Sequence, residues 1–332
     1  MGSFRVEREA LGSHVIAVLH DAARGRCVRI ACRGATVLSI GQQLNGEQIE
    51  LADGYRDAAE LDSRPSSRFA IMAPFANRIA DARYVFDGVA QDLQPGVEAP
   101  QRAVRHGFVR GVDFELAVLD ADAQGAHAVF TTAAIRPQPG YPHAIDLAVR
   151  YTLAADGLAL EVTMRNVGDS VAPCFFGWHP DFRLGDTPVD SWELQVPADT
   201  LIRTDPGYIP LPGPAAYAPV SDTPALDFRA QRAIGEIKLD NGYTGLAHDA
   251  DGRTRTRLRD PASGLGLAVW QESGVMLAFT ADTVTRDVRR SIALEPMESL
   301  SNAFDRPDCA DAIRLEPGAE RRFRCGVEID LP

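Results

Sequence analysis

IDLAVRYTLAADGLALEVTMRNV, residues 145–167, is the stretch whose reading decides the fold. Ile145, Leu147, Val149, Tyr151 and Leu153 occupy every second position, and so do Leu158, Leu160, Val162 and Met164. Glu161, Thr163 and Arg165 fall between the latter set. A period of two is that of a strand with one buried face and one wet face. Asp156-Gly157 between the two runs is a tight-turn pair, so the stretch predicts an antiparallel hairpin.

The same alternation recurs outward in both directions: CVRIAC (27–32), ARYVFDG (82–88), WELQVP (192–197), LGLAVWQ (265–271) and FRCGVEID (323–330). Amphipathic helical periodicity is scarce; the best candidate is a short segment from Tyr55 to Leu61. Alternating strands joined by turns imply antiparallel sheets rather than strand–helix–strand crossovers. The expected fold is therefore all-β, a large antiparallel sandwich of two packed sheets. The Pro-rich run TDPGYIPLPGPAAYAPVSDTP, Thr204 to Pro224, has the composition of a linker. Strands on its two sides look alike, so it reads as a long surface excursion within one domain covering 1–332.

Composition excludes several functions. The formal net charge is -12, against the needs of a polyanion binder. The basic runs RGRCVRI and RTRTRLRD lack interleaved aromatics, so no nucleic acid is expected. No run reaches the roughly 18 apolar residues of a membrane span, and MGSFRVEREALGSH has no apolar leader core. The five cysteines (27, 32, 174, 309, 325) are an odd number without metal-ligand spacing, which predicts reduced thiols, no metal site and a cytoplasmic location.

Three distant segments carry groups that move protons near neutral pH: His106 in VRHGFVRG, His179 in FFGWHPDF and Glu295 in ALEPMESLSNAFDRPD. The glycine after His106 permits a sharp turn or a close backbone approach. Pro180 pushes His179 toward an extended conformation, and Trp178 beside it offers an apolar platform for the carbon face of a sugar. Glu295 follows an apolar strand-like run, where partial desolvation raises a carboxyl pKa. Glu298 is the rival carboxylate and reads as a solvated or ion-paired loop residue. Arg78 presents a planar fork of donors, and Asp240 can accept from sugar hydroxyls, although Asp-Asn-Gly is also a turn signal. Each of these residues, taken singly, has a structural explanation as well.

Together the segments ANRIADARYVFDG (76–88), RHGFVRGVDFE (105–115), FFGWHPDFRL (175–184), LDNGYTGL (239–246) and LEPMESLSNAFD (294–305) resemble, in order, the aldose 1-epimerase (galactose mutarotase) family. The resemblance implies a sandwich with a sugar cleft on one sheet, with neither metal nor organic cofactor. It implies Glu295 as base, His179 as general acid, and His106, Arg78 and Asp240 as sugar-positioning residues, with Asn77 supporting Arg78. The chain departs from the pattern at Asp181, where an aromatic is common. The HGF-then-Arg arrangement, with Arg102, Arg105 and Arg110 around His106, also resembles hexose-6-phosphate mutarotases. A free aldose is the expected substrate, and a sugar phosphate or acidic sugar the alternative. A non-catalytic sugar sensor and a glycoside hydrolase using Glu295 with Asp240 complete the possibilities. The expected oligomeric state is monomer or homodimer.

Overall fold

The computed structural model describes residues 3–99 and 101–331. The hairpin forms: strands Ile145–Leu153 and Gly157–Asn166 pair antiparallel with Val149 opposite Val162, and Ala154 N–H closes the turn on Gly157 O at 2.9 Å. It lies within a nine-stranded antiparallel sheet, ordered Glu115–Ala121, Ala126–Ile135, Ile145–Leu153, Gly157–Asn166, Glu320–Asp330, Gly266–Gln271, Thr254–Arg259, Glu193–Gln195, Arg232–Ala233. An eight-stranded sheet runs Tyr217–Pro219, Ala198–Ile202, Asp240–Leu246, Val275–Phe279, Ile292–Met297, Gly177–His179, Ala70–Met72, with Asp181–Phe182 also pairing on Ile292–Met297.

The alternating apolar sets of both sheets meet in one hydrophobic core. Leu147, Val149, Leu160, Val162 and Phe323 come from the larger sheet, and Trp178, Tyr243, Met276 and Leu294 from the smaller. Phe176 and Phe323 touch with ring centroids 5.7 Å apart. Each fully buried large apolar side chain contributes about 1.5–3 kcal/mol of transfer free energy, which makes this interface the main source of cohesion.

The N-terminal strands Phe4–Leu11, His14–Asp21, Arg26–Ala31, Thr36–Leu44 and Glu47–Glu50 form a five-stranded meander. Alternation sends Ala17 and Leu19 into the main core, and Ile16 and Val18 into a second cluster with Leu38, Tyr55 and Leu61. Leu61 comes from a helix at Ala58–Ser63, three residues later than the Tyr55 start expected. Asp57 is extended and accepts from Glu60 N–H at 2.9 Å, which caps the helix there. Tyr55 instead turns into the cluster and donates to Ser66 O at 2.7 Å.

The Pro-rich stretch packs along the smaller sheet, to which it adds the edge strand Tyr217–Pro219. Its first turn, Asp205 to Ile209, is held by Asp205 Oδ1 accepting from Gly207 and Ile209 N–H at 2.8 and 3.0 Å. All five cysteines are free thiols. Among the described residues, no helix is long and apolar enough to cross a membrane.

Candidate active site

Strand alternation assembles the site on the face of the smaller sheet turned away from the core. On Ile292–Met297, Glu295 points opposite to Leu294 and shares its face with Leu277, its cross-strand partner. One strand further, Asp240 pairs with Phe279 on that face. On the other side Met297 pairs with Gly177, so His179, two residues on, reaches the same face. Asp181 arrives opposite Ala293. Three carboxylates and an imidazole thus meet from segments far apart in the chain, brought together by sheet pairing alone.

The same alternation corrects one expectation. Trp178 lies between Gly177 and His179 on a single strand, so it points into the core, 0% exposed, with its ring edge-on to Phe69 at 5.8 Å. It is not available as a platform for a sugar in this cleft. Glu298 differs too: it is half-buried, has no ion-pair partner among the described residues, and its Oε2 accepts from Phe176 N–H at 2.6 Å. Burial pushes its carboxyl up to about 7.

His106 and Arg78 come from a two-stranded ribbon, Arg78–Ile79 with Val104–Arg105. His106 N–H donates to Asn77 O at 2.9 Å. Asn77, His106 and Gly107 all adopt left-handed backbone, with φ of 57°, 65° and 67°. A non-glycine residue pays roughly 1–2 kcal/mol for that conformation, so local strain is concentrated at the site. Gly107 has a second reason to be glycine: a Cβ there would lie 2.0 Å from Ala73 O. Asn77 Oδ1 accepts from Arg78 Nη1 at 2.9 Å, which orients the guanidinium. Arg78 Nη2 then stands 3.7 Å from Asp240 Oδ2, and its other neighbour is the Tyr208 ring, 4.8 Å away.

His179 is clamped between two carboxylates. Its Nδ1 is 3.0 Å from Asp181 Oδ2, and its Nε2 is 3.3 Å from Glu295 Oε1. Burial alone would lower its pKa; Glu295 and Asp181 outweigh burial and hold the imidazole up at about 9. Glu295 is 2% exposed. Burial raises its carboxyl to about 7, against the opposing pull of His179. Between those values a carboxylate stands beside an imidazolium, a base and an acid side by side. His106 stacks edge to face on His179 with centroids 5.4 Å apart. Burial first, then the neighbouring positive charges of His179 and Arg110, keep His106 neutral. Burial raises Asp240 as well, opposed by Arg78. Among the described residues, His106 Nδ1 and Glu295 Oε2 have no hydrogen-bond partner, which leaves both able to bond a ligand.

These groups surround a cavity of about 160 Å³, small enough to suit a single sugar ring. Asn77, Arg78, His106, His179, Asp240 and Glu295 all line it, so six of the seven residues singled out from the sequence converge. Ser66, Ser67, Phe279, Thr283 and Val284 line it too and carry no motif. Phe279 was recoverable from hairpin pairing, since it lies two positions from Leu277 on the Glu295 face; the serines had no such signal.

A family model described as Aldose 1-epimerase matches residues 17–328. The chain is 28% identical over 254 residues to the uncharacterized protein YihR of Escherichia coli K12, covering 76% of each chain. It is 28% identical over 209 residues to the aldose 1-epimerase of the same organism, covering 60% of this chain and 58% of that one. A galactose mutarotase-like protein from Clostridium acetobutylicum superposes with a TM-score of 0.84 at 15% identity, covering 99% of both chains. Galactose 1-epimerase from Lactobacillus acidophilus superposes with a TM-score of 0.81 at 16% identity, again over 99% of both. The structural likenesses extend the match in fold to nearly the whole chain, and the family match spans every residue of the cleft. The chain belongs to the aldose 1-epimerase family, whose members are isomerases.

Proposed function

We propose that the protein interconverts the α and β anomers of an aldose, with Glu295 as base and His179 as acid. The observation that carries this reading is the 3.3 Å approach of His179 Nε2 to Glu295 Oε1 on one buried face. The hydroxyl and ring oxygens of a cyclic aldose are bonded to the same carbon, so an acid and a base serving both must stand side by side. Glu295 takes the proton of the C1 hydroxyl while His179 gives one to the ring oxygen. The C1–ring-oxygen bond breaks, the free aldehyde forms, and rotation about C1–C2 presents its other face. Reclosure runs the two transfers backwards. Arg78 donates to sugar hydroxyls, Asp240 accepts from them, neutral His106 can do either, and Asn77 holds Arg78. These residues flank the Pro-rich stretch on both sides, which supports treating the chain as one domain.

Two-dimensional exchange NMR or polarimetry on freshly dissolved aldoses tests the proposal: anomer exchange must exceed the buffer rate. Sugar binding without added exchange would instead make the protein a sensor.

The pH profile carries a second expectation. Activity needs Glu295 ionised and His179 protonated, so kcat/KM should rise through about pH 7 and fall through about pH 9. The two limbs belong to the coupled pair. Asp181→Asn removes a charge that raises both groups, so both limbs should move to lower pH, the alkaline one by about 1 unit or more. An alkaline limb that stays in place would show that Asp181 does not position or charge the acid.

A further inference from the structure

The cleft face of the smaller sheet continues past the catalytic pair. Glu295, Leu277 and Gly242 are successive cross-strand partners, so one row runs from the base across three strands. Beside this row lies a second cavity of about 20 Å³, walled by Ile202, Gly242, Val275, Leu277 and Met297. The Pro-rich excursion roofs it with Tyr208 and Pro210. Tyr208 belongs to the turn that Asp205 holds and has left-handed backbone at φ 63°, a conformation uncommon for a bulky residue.

Asn77, Arg78 and Asp240 line both cavities, so the second adjoins the first at the groups placed to read sugar hydroxyls. Arg78 Nη2 and Asp240 Oδ2 are 3.7 Å apart, longer than a hydrogen bond, which leaves a donor and an acceptor able to share a third group. Behind them the walls are mostly apolar. Ser301 Oγ is turned to Asn77 Oδ1 and Arg78 O, at 3.4 Å each. The space suffices for one water-sized group, but a buried water needs two or more polar partners. A methyl group suits these walls better.

The order of groups along the row sets which part of a sugar faces this cavity. His179 serves the ring oxygen and Glu295 the C1 hydroxyl, so the next substituent on that side is the one at C2. A secondary amide carries one N–H and one C=O, which match Asp240 and Arg78. We propose that the substrate is a 2-acetamido aldose, with its N–H on Asp240, its carbonyl on Arg78 and its methyl in the cavity beside Gly242 and Leu277. The inference rests on the anomer-exchange reading above. Glycine at 242 is what keeps the cavity open. A Cβ there would meet only side-chain carbons, Ile202 Cβ and Cγ1 at 3.4 Å and Val275 Cγ1 at 3.8 Å, which is ordinary contact. The Gly242 backbone is not left-handed, so alanine fits without strain.

The test compares N-acetylglucosamine with glucose, and N-acetylgalactosamine with galactose, by exchange NMR and by calorimetric binding. At least one acetamido sugar should show kcat/KM about fivefold or more above its parent, and its N-formyl analogue, which lacks the methyl, should lose most of that preference. Gly242→Ala puts a methyl of the protein into the cavity and should bring the acetamido-to-parent ratio close to one. Ile202→Val enlarges the cavity and should favour the N-propionyl sugar over the N-acetyl one, a gain that misfolding does not produce. If the parents are exchanged as fast as the acetamido sugars and Gly242→Ala leaves the ratio unchanged, the methyl subsite is overturned and mutarotation stands. If no aldose is exchanged, the reaction reading fails and binding decides the subsite: tighter binding of an acetamido sugar that Gly242→Ala abolishes sustains it, and equal binding overturns it.

Discussion

Glu295→Gln is expected to lower the anomer-exchange rate by about 10²–10⁴-fold, the worth of one general acid–base group, with the fold retained. Glutamine keeps the shape of the side chain and can still bond His179 Nε2, but it cannot take the C1 proton. Burial makes the position sensitive to this change. A carboxylate held up at about 7 is a stronger base than one near the ordinary 4.5, so its proton affinity is matched to working pH. The acid limb of the pH profile should disappear along with the rate. Circular dichroism and a thermal melt provide the control, and full retention of exchange in a folded variant would remove Glu295 from the mechanism.

Gly107→Ala is expected to be the most damaging single methyl addition at the site. The new Cβ would sit 2.0 Å from Ala73 O and 2.4 Å from Ala73 C, both backbone atoms that cannot swing aside. It would also hold alanine at φ +67°. The left-handed conformation alone costs roughly 1–2 kcal/mol, and displacement of the backbone raises the total to about 3 kcal/mol or more. A melting point lower by roughly 4 °C or more follows for a chain of 332 residues. Because His106 adjoins Gly107, exchange activity should fall with stability. Gly88→Ala separates the two causes: Gly88 has φ +76° and open space around its Cβ position, so only the conformational cost applies. Equal melting shifts in the two variants would mean that the Ala73 contact does not matter.

Much of this was legible in the sequence because a strand advertises itself by period two. Alternation and the Asp156-Gly157 turn are enough to pair Val149 with Val162, and the motifs around His106, His179 and Glu295 mark the cleft. Trp178 shows where motif reading misleads. Neighbours in sequence are opposite in a strand, so placing His179 in the cleft already commits Trp178 to the core. The helix boundary was also recoverable, since Asp57-Ala58-Ala59-Glu60 has the form of a capping box, with Glu60 Oε2 accepting from Arg56 N–H at 3.0 Å. Asp181 stood out as a departure, but only its 3.0 Å distance to His179 Nδ1 connects it to the acid.

The back-to-back arrangement of His179 with Trp178, and of Glu295 with Leu294, has a consequence for how the molecule reaches its working form. A pairing slip of one residue in either strand would present Leu294 or Trp178 to water and drive Glu295 or His179 into the hydrophobic interior. Such a mis-threaded chain would lose burial and gain buried charge together, leaving it no stable competitor to the correct state. Closing the core and aligning the cleft are therefore one event: any molecule that has buried Leu294 and Trp178 has also brought Glu295 and His179 together.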